Sequence, residues 1–311
     1  MLFTQIIFFA ILIIAGILYP RLDKILLNNM VLLLSIGSVI LSRLDFNKAL
    51  RQFFIEAISL TIGIVMPVLI TKISKPEKYG FLYAGIGIGV LLAVFLLAAT
   101  VNGSKISYSL FGITIQPSEL VKIIYIFCVA ALIGRAKSFL DIVIATSVAA
   151  VHVLILVLSR DLGSGLIYFT AYLFMLFIGT RSYIFFGLGL LAGSGASVIA
   201  YRIFSHVQVR VRAFKDPFSV IEREGYQISQ SLFAISTGSF LGMGLTKGTP
   251  TDIPFVESDF IFSAVAEELG VIFGIELLLV CLSCFIIMMK TSMVCGRKFN
   301  RLLAGGFGVM Y

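Results

Sequence analysis

The stretch "DFIFSAVAEELGVIFGIELLLVCLSCFIIMM", residues 259–289, decides the fold class of this 311-residue chain. It contains four acidic residues, no lysine or arginine, and otherwise almost only apolar side chains. A helix needs about 20 predominantly apolar residues to cross a bilayer. The stretch is longer than that and therefore predicts a membrane-spanning helix.

The rest of the chain has the same character. It is 59% hydrophobic and only 13% charged, with a mean hydropathy of +1.07, whereas soluble domains carry about 25% charged residues. Further apolar runs predict helices near 3–19, 26–42, 52–71, 79–100, 119–134, 138–158, 162–180 and 182–204. The last run, from Leu302 to Tyr311, is too short to span. We predict an all-α, polytopic transmembrane bundle with about nine full spans and a partial one.

The charges between the spans predict the orientation. One set of loops holds twelve basic residues: Arg21, Lys24, Lys72, Lys75, Lys78, Arg135, Lys137, Arg181, Lys290, Arg297, Lys298 and Arg301. The short loops opposite hold five: Arg43, Lys48, Arg51, Lys105 and Arg160. Cytoplasmic loops carry the excess of lysine and arginine. The richer side is therefore predicted to be cytoplasmic, with the N-terminus and the long loop 205–258 outside.

The predicted organisation is a single integral membrane domain over residues 1–311. An extra N-terminal helix occupies 1–25, a first bundle 26–204, the long external loop 205–258, and C-terminal helices 259–311. Within the loop, "GYQISQSLFAIS" (225–236) has apolar residues at helical spacing, which predicts a short amphipathic helix. A glycine-rich turn follows at 238–248.

The net charge of +8 does not indicate nucleic-acid binding. In a membrane protein, basic residues primarily set the orientation of the chain and contact lipid head groups. Membrane lipids are therefore the expected partners. Cys281 and Cys284 form a C-x-x-C motif, but they lie on an apolar helix without neighbouring acids or histidine. We interpret them as packing residues and predict neither a disulfide nor a zinc site.

Ionisable residues inside spans are costly and by default mark function. In "TIQPSELVKI" (114–123), Ser118 is a candidate N-cap and Glu119 suits the first turn of a helix. Glu119 and Lys122 are three residues apart, so they share a face and could pair. Lys122 could equally meet a phosphate near the outer surface.

Two basic motifs come next. In "SRDLGSGLIYF" (159–169), Arg160 and Asp161 stand at a helix start, where the simplest interpretation is a cap beside tightly packed glycines. In "VRVRAFKDPF" (209–218), Arg210 and Arg212 would point the same way if the backbone were extended. Their planar guanidinium groups could then hold a pyrophosphate. Contact with lipid head groups is the alternative.

The acids in residues 259–289 divide into two groups. Asp259 heads the predicted helix and could be a residue of its capping region. Glu267 and Glu268 lie two turns deeper and cannot be capping residues. At least one of these two needs a partner or a proton.

Several of these stretches together resemble the SEDS family of bacterial membrane proteins (shape, elongation, division and sporulation). The matching stretches are "VNGSKISYSLFGITIQPSEL", "SRDLGSGLIYF", "VRVRAFKDPF", "GYQISQSLFAISTGSFLGMGL" and "SDFIFSAVAEELGVIFG", in the family's order, over roughly residues 26–311. The resemblance implies a peptidoglycan glycosyltransferase that polymerises lipid II outside the membrane, with a class B penicillin-binding protein as partner.

The resemblance also assigns roles. It implies that Asp259 is the catalytic aspartate, and that Lys122, Arg210 and Arg212 hold the departing undecaprenyl diphosphate. We group Glu119 with these substrate-binding candidates. Five residues are predicted to support the site structurally: Glu267, Glu268, Asp161, Gln116 and Ser118. No metal ligand is assigned, although a divalent cation, Mg or Mn, at Asp259 is left open.

The chain departs from the family at several places. Ser107 or Tyr108 stands where a tryptophan is usual, and Glu257-Ser258 replaces the usual His-Thr before Asp259. The helix at 3–19 is extra, and the family's last span and a half are not in the sequence, which predicts a fragment or a truncated product. Two alternative functions remain: a lipid II flippase, since charges around a cavity suit a transporter, and a non-catalytic scaffold.

Overall fold

The computed structural model describes residues 2–97, 108–110 and 113–311. The helices of the first half are α1 Leu2–Leu18, α2 Lys24–Leu44, α3 Phe46–Lys72, α4 Gly80–Leu97, α5 Pro117–Arg135, α6 Phe139–Leu158 and α7 Leu162–Thr180. Those of the second half are α8 Tyr183–Ile203, α9 Ser205–Lys215, α10 Tyr226–Gly238, α11 Ile261–Leu269, α12 Val271–Val294 and α13 Lys298–Met310. Three short 3-10 helices lie at Pro76–Tyr79, Phe218–Val220 and Pro250–Asp252.

The predicted transmembrane fold is confirmed. Among the described residues, eight helices are long and apolar enough to cross a membrane: α2 to α8 and α12, with α4 extended by the preceding 3-10 helix. The predicted span 3–19 corresponds to helix α1, which is apolar but shorter, so the predicted count of nine full spans was one too high. Large apolar side chains stay exposed on these helices, for example Ile17 at 72% and Leu97 at 74%, as expected for surfaces that face lipid. The end of the predicted span 79–100 lies outside the described residues, as does Ser107.

One predicted element was wrong. The stretch 259–289 is not a single helix, because the chain breaks at Gly270, where φ is +91°. The short helix α11 comes before the break and the 24-residue α12 comes after it. Asp259 does not head a helix either, since α11 begins at Ile261 with Phe260 as its N-cap residue.

A small hairpin precedes α5. Its strands, β1 Tyr108–Leu110 and β2 Ile113–Ile115, pair antiparallel with Tyr108 opposite Ile115. The apolar runs of the sequence do not predict this hairpin, because its three-residue strands are much shorter than a membrane span. It leaves the helical class of the protein unchanged.

The chain folds as two compact units. The first contains Met1–Lys72 and Ser197–Cys284. Its core lies where α2, α10 and α11 pack together, and it includes Ile40, Ala234, Ala264 and Val265. The predicted amphipathic helix of the long loop is confirmed as α10, and a second helix, α9, accompanies it.

The second unit contains Ile73–Ala196 and Phe285–Tyr311. Its core lies where α5 packs against α4, α6, α7 and α13. Tyr125 and Tyr168 are fully buried there, with ring centroids 4.5 Å apart. His152 lies beside Tyr125, and its Nε2 occupies the space that a Cβ at Gly87 would need.

Candidate functional site

Asp259 lies on a tight turn that leads into α11. The turn is closed by a hydrogen bond from the Asp259 backbone N–H to the carbonyl of Phe255, at 3.0 Å. The side chain is exposed. Within the described residues its carboxylate has no hydrogen bond or ion pair with another side chain, so both oxygens are free to meet a ligand.

The same turn is held from the side by an ion pair. Lys48, near the start of α3, donates a hydrogen bond to Oε1 of Glu257. This bond, together with the backbone N–H of Glu257 itself, holds the pKa of the Glu257 carboxyl below its usual range. The pair therefore ties the residue two positions before Asp259 to the end of a membrane helix.

Glu268 has a basic partner, as a buried carboxylate needs. It is 2% exposed, and Nε of Arg43 donates a hydrogen bond to its Oε1 at 3.1 Å. Arg43 lies in the last turn of α2 and also reaches the carbonyl of Gly248 at 3.3 Å. One arginine thus joins α2, the glycine-rich loop and α11, and it compensates a buried charge.

Glu267 is only half satisfied. It is 4% exposed, and its Oε1 accepts a hydrogen bond from the backbone N–H of Thr249 at 2.9 Å. Its Oε2 is buried and has no hydrogen-bond partner among the residues that the structure describes. A cavity of about 160 Å³ opens beside this side chain.

The glycine-rich loop explains why α11 ends where it does. The N–H groups of Met243 and Gly244 donate to the carbonyls of Glu267 and Glu268, both at 2.9 Å. These are two of the carbonyls that a helix end leaves without an internal partner. The approach is so close that a Cβ on Gly242 would lie 2.4 Å from the Glu268 carbonyl oxygen.

Arg210 and Arg212 do not have the predicted arrangement. They lie in helix α9 and not in an extended segment, so two residues of separation put them about 200° apart around the axis. Both side chains are exposed. The extended arrangement that would point both arginines the same way is therefore wrong, and their predicted contact with a pyrophosphate stays a prediction for each residue separately.

The candidates of the second unit cluster at the start of α5. Nζ of Lys122 contacts both carboxylate oxygens of Glu119, at 2.7 and 2.8 Å, which confirms the predicted pairing. The Lys122 side chain is 19% exposed and that of Glu119 is 55% exposed. Lys122 is therefore a half-buried cation with an exposed counterion.

A second group of polar residues supports this helix start. Nε2 of Gln116 donates to Oδ2 of Asp161 at 3.1 Å and to Oγ of Ser118 at 3.0 Å. Asp161 caps α7 by accepting from the N–H of Ser164, as predicted. The prediction that Ser118 is the N-cap of α5 was wrong, because Gln116 holds that position. The carbonyl of Ser118 accepts a hydrogen bond from the Tyr168 hydroxyl at 2.8 Å.

The predicted residues thus form one group in each unit. Asp259, Arg210, Arg212, Glu267 and Glu268 belong to the first unit. The second unit contains Gln116, Ser118, Glu119, Lys122 and Asp161. The described ranges contain no cluster of three or more His, Cys, Asp or Glu side chains suited to a metal ion. A divalent cation at Asp259 stays an untested prediction.

Sequence reasoning missed the basic partners. Arg43 and Lys48 entered only as charges that set the orientation, yet they neutralise Glu268 and Glu257. The sequence held a usable signal, because acids of the C-terminal region needed cations. Arg43 and Lys48 lie where α2 ends and α3 begins.

Helices long enough to span a membrane, together with these charged groups, define a class: a multi-pass membrane protein. The sequence model of the FtsW/RodA/SpoVE family, described as "Cell cycle protein", matches residues 6–311. The chain belongs to this family.

Individual relatives agree with this assignment. The chain is 30% identical over 317 residues to the peptidoglycan glycosyltransferase RodA of Mycobacterium tuberculosis (strain ATCC 25618 / H37Rv), covering 92% of this chain and 67% of that protein. It is 28% identical over 311 residues to the probable peptidoglycan glycosyltransferase FtsW of Nitrosococcus halophilus, covering 93% and 80%.

Two solved structures share the fold. A chain from a peptidoglycan synthase complex, studied for its coordination of polymerization and crosslinking, superposes with a TM-score of 0.74 at 21% identity, covering 93% of this chain and 84% of that chain. The crystal structure of the Thermus thermophilus rod shape determining protein RodA superposes with a TM-score of 0.65 at 19% identity, covering 94% of this chain and 82% of that chain. At these identities the likeness supports the fold alone.

Proposed function

We propose that this protein is a peptidoglycan glycosyltransferase that polymerises lipid II at the outer face of the cytoplasmic membrane. The observation that carries the proposal is the match to a relative with this named activity over 92% of the chain. The exposed carboxylate of Asp259, the residue to which the resemblance assigns the catalytic role, supports it.

In the proposed reaction Asp259 is the general base. A hydroxyl of the acceptor sugar gives its proton to the Asp259 carboxylate, and its oxygen attacks the anomeric carbon of the donor. The bond from that carbon to undecaprenyl diphosphate breaks, so direct displacement inverts the anomeric centre. A base must reach the proton that it removes, and the exposed side chain allows a substrate hydroxyl to approach.

Cations stabilise the leaving diphosphate in this proposal. Lys122 suits this role because Glu119, its present partner, is exposed and can give way to a phosphate. Arg210 or Arg212 is the second candidate, but not both on one phosphate, because α9 directs them to different sides. A class B penicillin-binding protein is the proposed partner.

The test uses purified full-length protein with its penicillin-binding partner and lipid II as the substrate. Asp259→Asn is expected to abolish glycan polymer. Glu222→Gln, which removes an exposed acid of the same external region, is expected to retain it. Polymer from Asp259→Asn at the wild-type rate would remove Asp259 as the base. Lipid movement without polymer would indicate a flippase, and neither activity would indicate a scaffold.

A further inference from the structure

The cavity beside Glu267 has no role in the mechanism above. It lies between α10, the glycine-rich loop and α11, and polar residues line much of it: Gln230, Thr237, Lys247, Thr249, Asp252 and Glu267. A water molecule takes about 30 Å³ of the liquid. The cavity's roughly 160 Å³ therefore accommodates a group of several heavy atoms.

The lining presents acceptors that have no donor. Glu267 is only 4% exposed, and its Oε2 has no hydrogen-bond partner within the described part of the chain. The Thr237 hydroxyl donates its proton to the carbonyl of Phe233 at 2.8 Å, which leaves its oxygen as an acceptor. Asp252 adds an exposed carboxylate at the rim. A buried carboxylate oxygen without a donor is costly, so the complementary ligand is a cationic donor.

A primary ammonium fits this lining better than a divalent metal ion. An ammonium group offers three donors, whereas magnesium and calcium require six or more oxygen ligands in a defined arrangement. Lys247 also lines the cavity, and its side chain is exposed to solvent. The Lys247 stem lies over Gly244, where a Cβ would meet its Cδ at 3.3 Å.

We propose that this cavity receives the primary ammonium group of the peptide carried by the substrate. This inference rests on the proposed function, because lipid II bears a stem peptide with a diamino acid whose side chain ends in such an amine. Glu267 Oε2 would accept one ammonium proton and Thr237 Oγ1 another. The cavity would thereby orient the peptide end of the substrate.

The test measures binding of lipid II with a free side-chain amine and of lipid II whose amine is acetylated, which removes the charge. Wild-type protein should bind the acetylated form about tenfold more weakly, as expected for the loss of a charged hydrogen bond. Glu267→Gln should bind both forms equally. The amide oxygen of the introduced glutamine would keep the acceptor for the Thr249 N–H, so the fold should survive, and an unchanged Tm checks this. Thr237→Leu, which fills the cavity, gives a second variant with the same expected loss.

Glu222→Gln is the matched control, because it removes an exposed acid that does not line the cavity. It should leave the preference for the free amine intact, and a loss equal to that of Glu267→Gln would overturn the proposal. Equal binding of both lipid II forms to wild-type protein also overturns it. Formation of glycan polymer is measured in parallel. If no polymer forms but the preference for the free amine is retained, the proposed function is wrong and this inference stands.

Discussion

At the residue scale, the buried Glu268 depends on Arg43. Replacing Arg43 by glutamine leaves a carboxylate that is 2% exposed without its counterion. Breaking a buried pair from one side costs about 3–5 kcal/mol. We expect a large drop in Tm for Arg43→Gln in detergent, and recovery of much of that drop when Glu268→Gln is added.

The control for this prediction is Arg51→Gln. Arg51 is exposed one helix further along and has no ion pair within the described residues. Its replacement should change Tm very little. Equal losses for Arg43→Gln and Arg51→Gln would show that the pair with Glu268 does not stabilise the fold.

The Glu257–Lys48 pair gives a pH dependence. Because Lys48 holds the pKa of Glu257 below its usual range, the stability from this carboxylate is fully present above the unfolded pKa of about 4.3. It is lost as the pH falls through the lower folded value. Lys48 is half exposed, so the gain is only about 0.2–1 kcal/mol.

The measurement compares wild type with Glu257→Gln at two pH values. We expect a small Tm deficit for the variant at pH 7 and a smaller one at a pH below the usual pKa range of a glutamate. A deficit that is equally large at both values would assign the effect of Glu257 to packing instead of charge.

At the element scale, Gly270 separates α11 from α12. Its φ of +91° suits glycine, and a Cβ would lie 2.3 Å from the carbonyl oxygen of Phe240. Gly270→Ala should therefore destabilise the protein by at least about 1–3 kcal/mol, measured as a fall in Tm. At Gly296 a Cβ meets nothing within 4 Å, so Gly296→Ala should cost little. An unchanged Tm for Gly270→Ala would mean that the break tolerates a side chain.

This break also shows the limit of prediction from sequence. The apolar composition of residues 259–289 correctly predicted a membrane-spanning segment, because bilayer thickness sets the length of apolar sequence that a span needs. It did not predict the break at Gly270. The end of α11 depends on a loop some 25 residues earlier, whose N–H groups bind its last carbonyls. Local periodicity cannot contain that information. Arg210 and Arg212 illustrate the same limit, since their spacing alone fits a strand as well as a helix.

At the scale of the whole molecule, the positions of the eight long spans were predictable and the pairing of charges was not. Each span is decided by its own composition, whereas Arg43 meets Glu268 across 225 residues of chain. The acids could be identified as needing partners from their depth. Which cations serve them depends on how α2 packs against α11.

The proposed orientation follows from the twelve basic residues on one side and five on the other. In a variant without its four native cysteines, Glu222→Cys should react with a membrane-impermeant maleimide on intact cells. Lys137→Cys, in the exposed turn between α5 and α6, should react only after the cells are permeabilised. Both positions are exposed, so the difference reports sidedness and not burial. Labelling of Lys137→Cys on intact cells, with Glu222→Cys protected, would invert the topology. Asp259 would then lie on the cytoplasmic side, where it could not polymerise lipid II at the outer face.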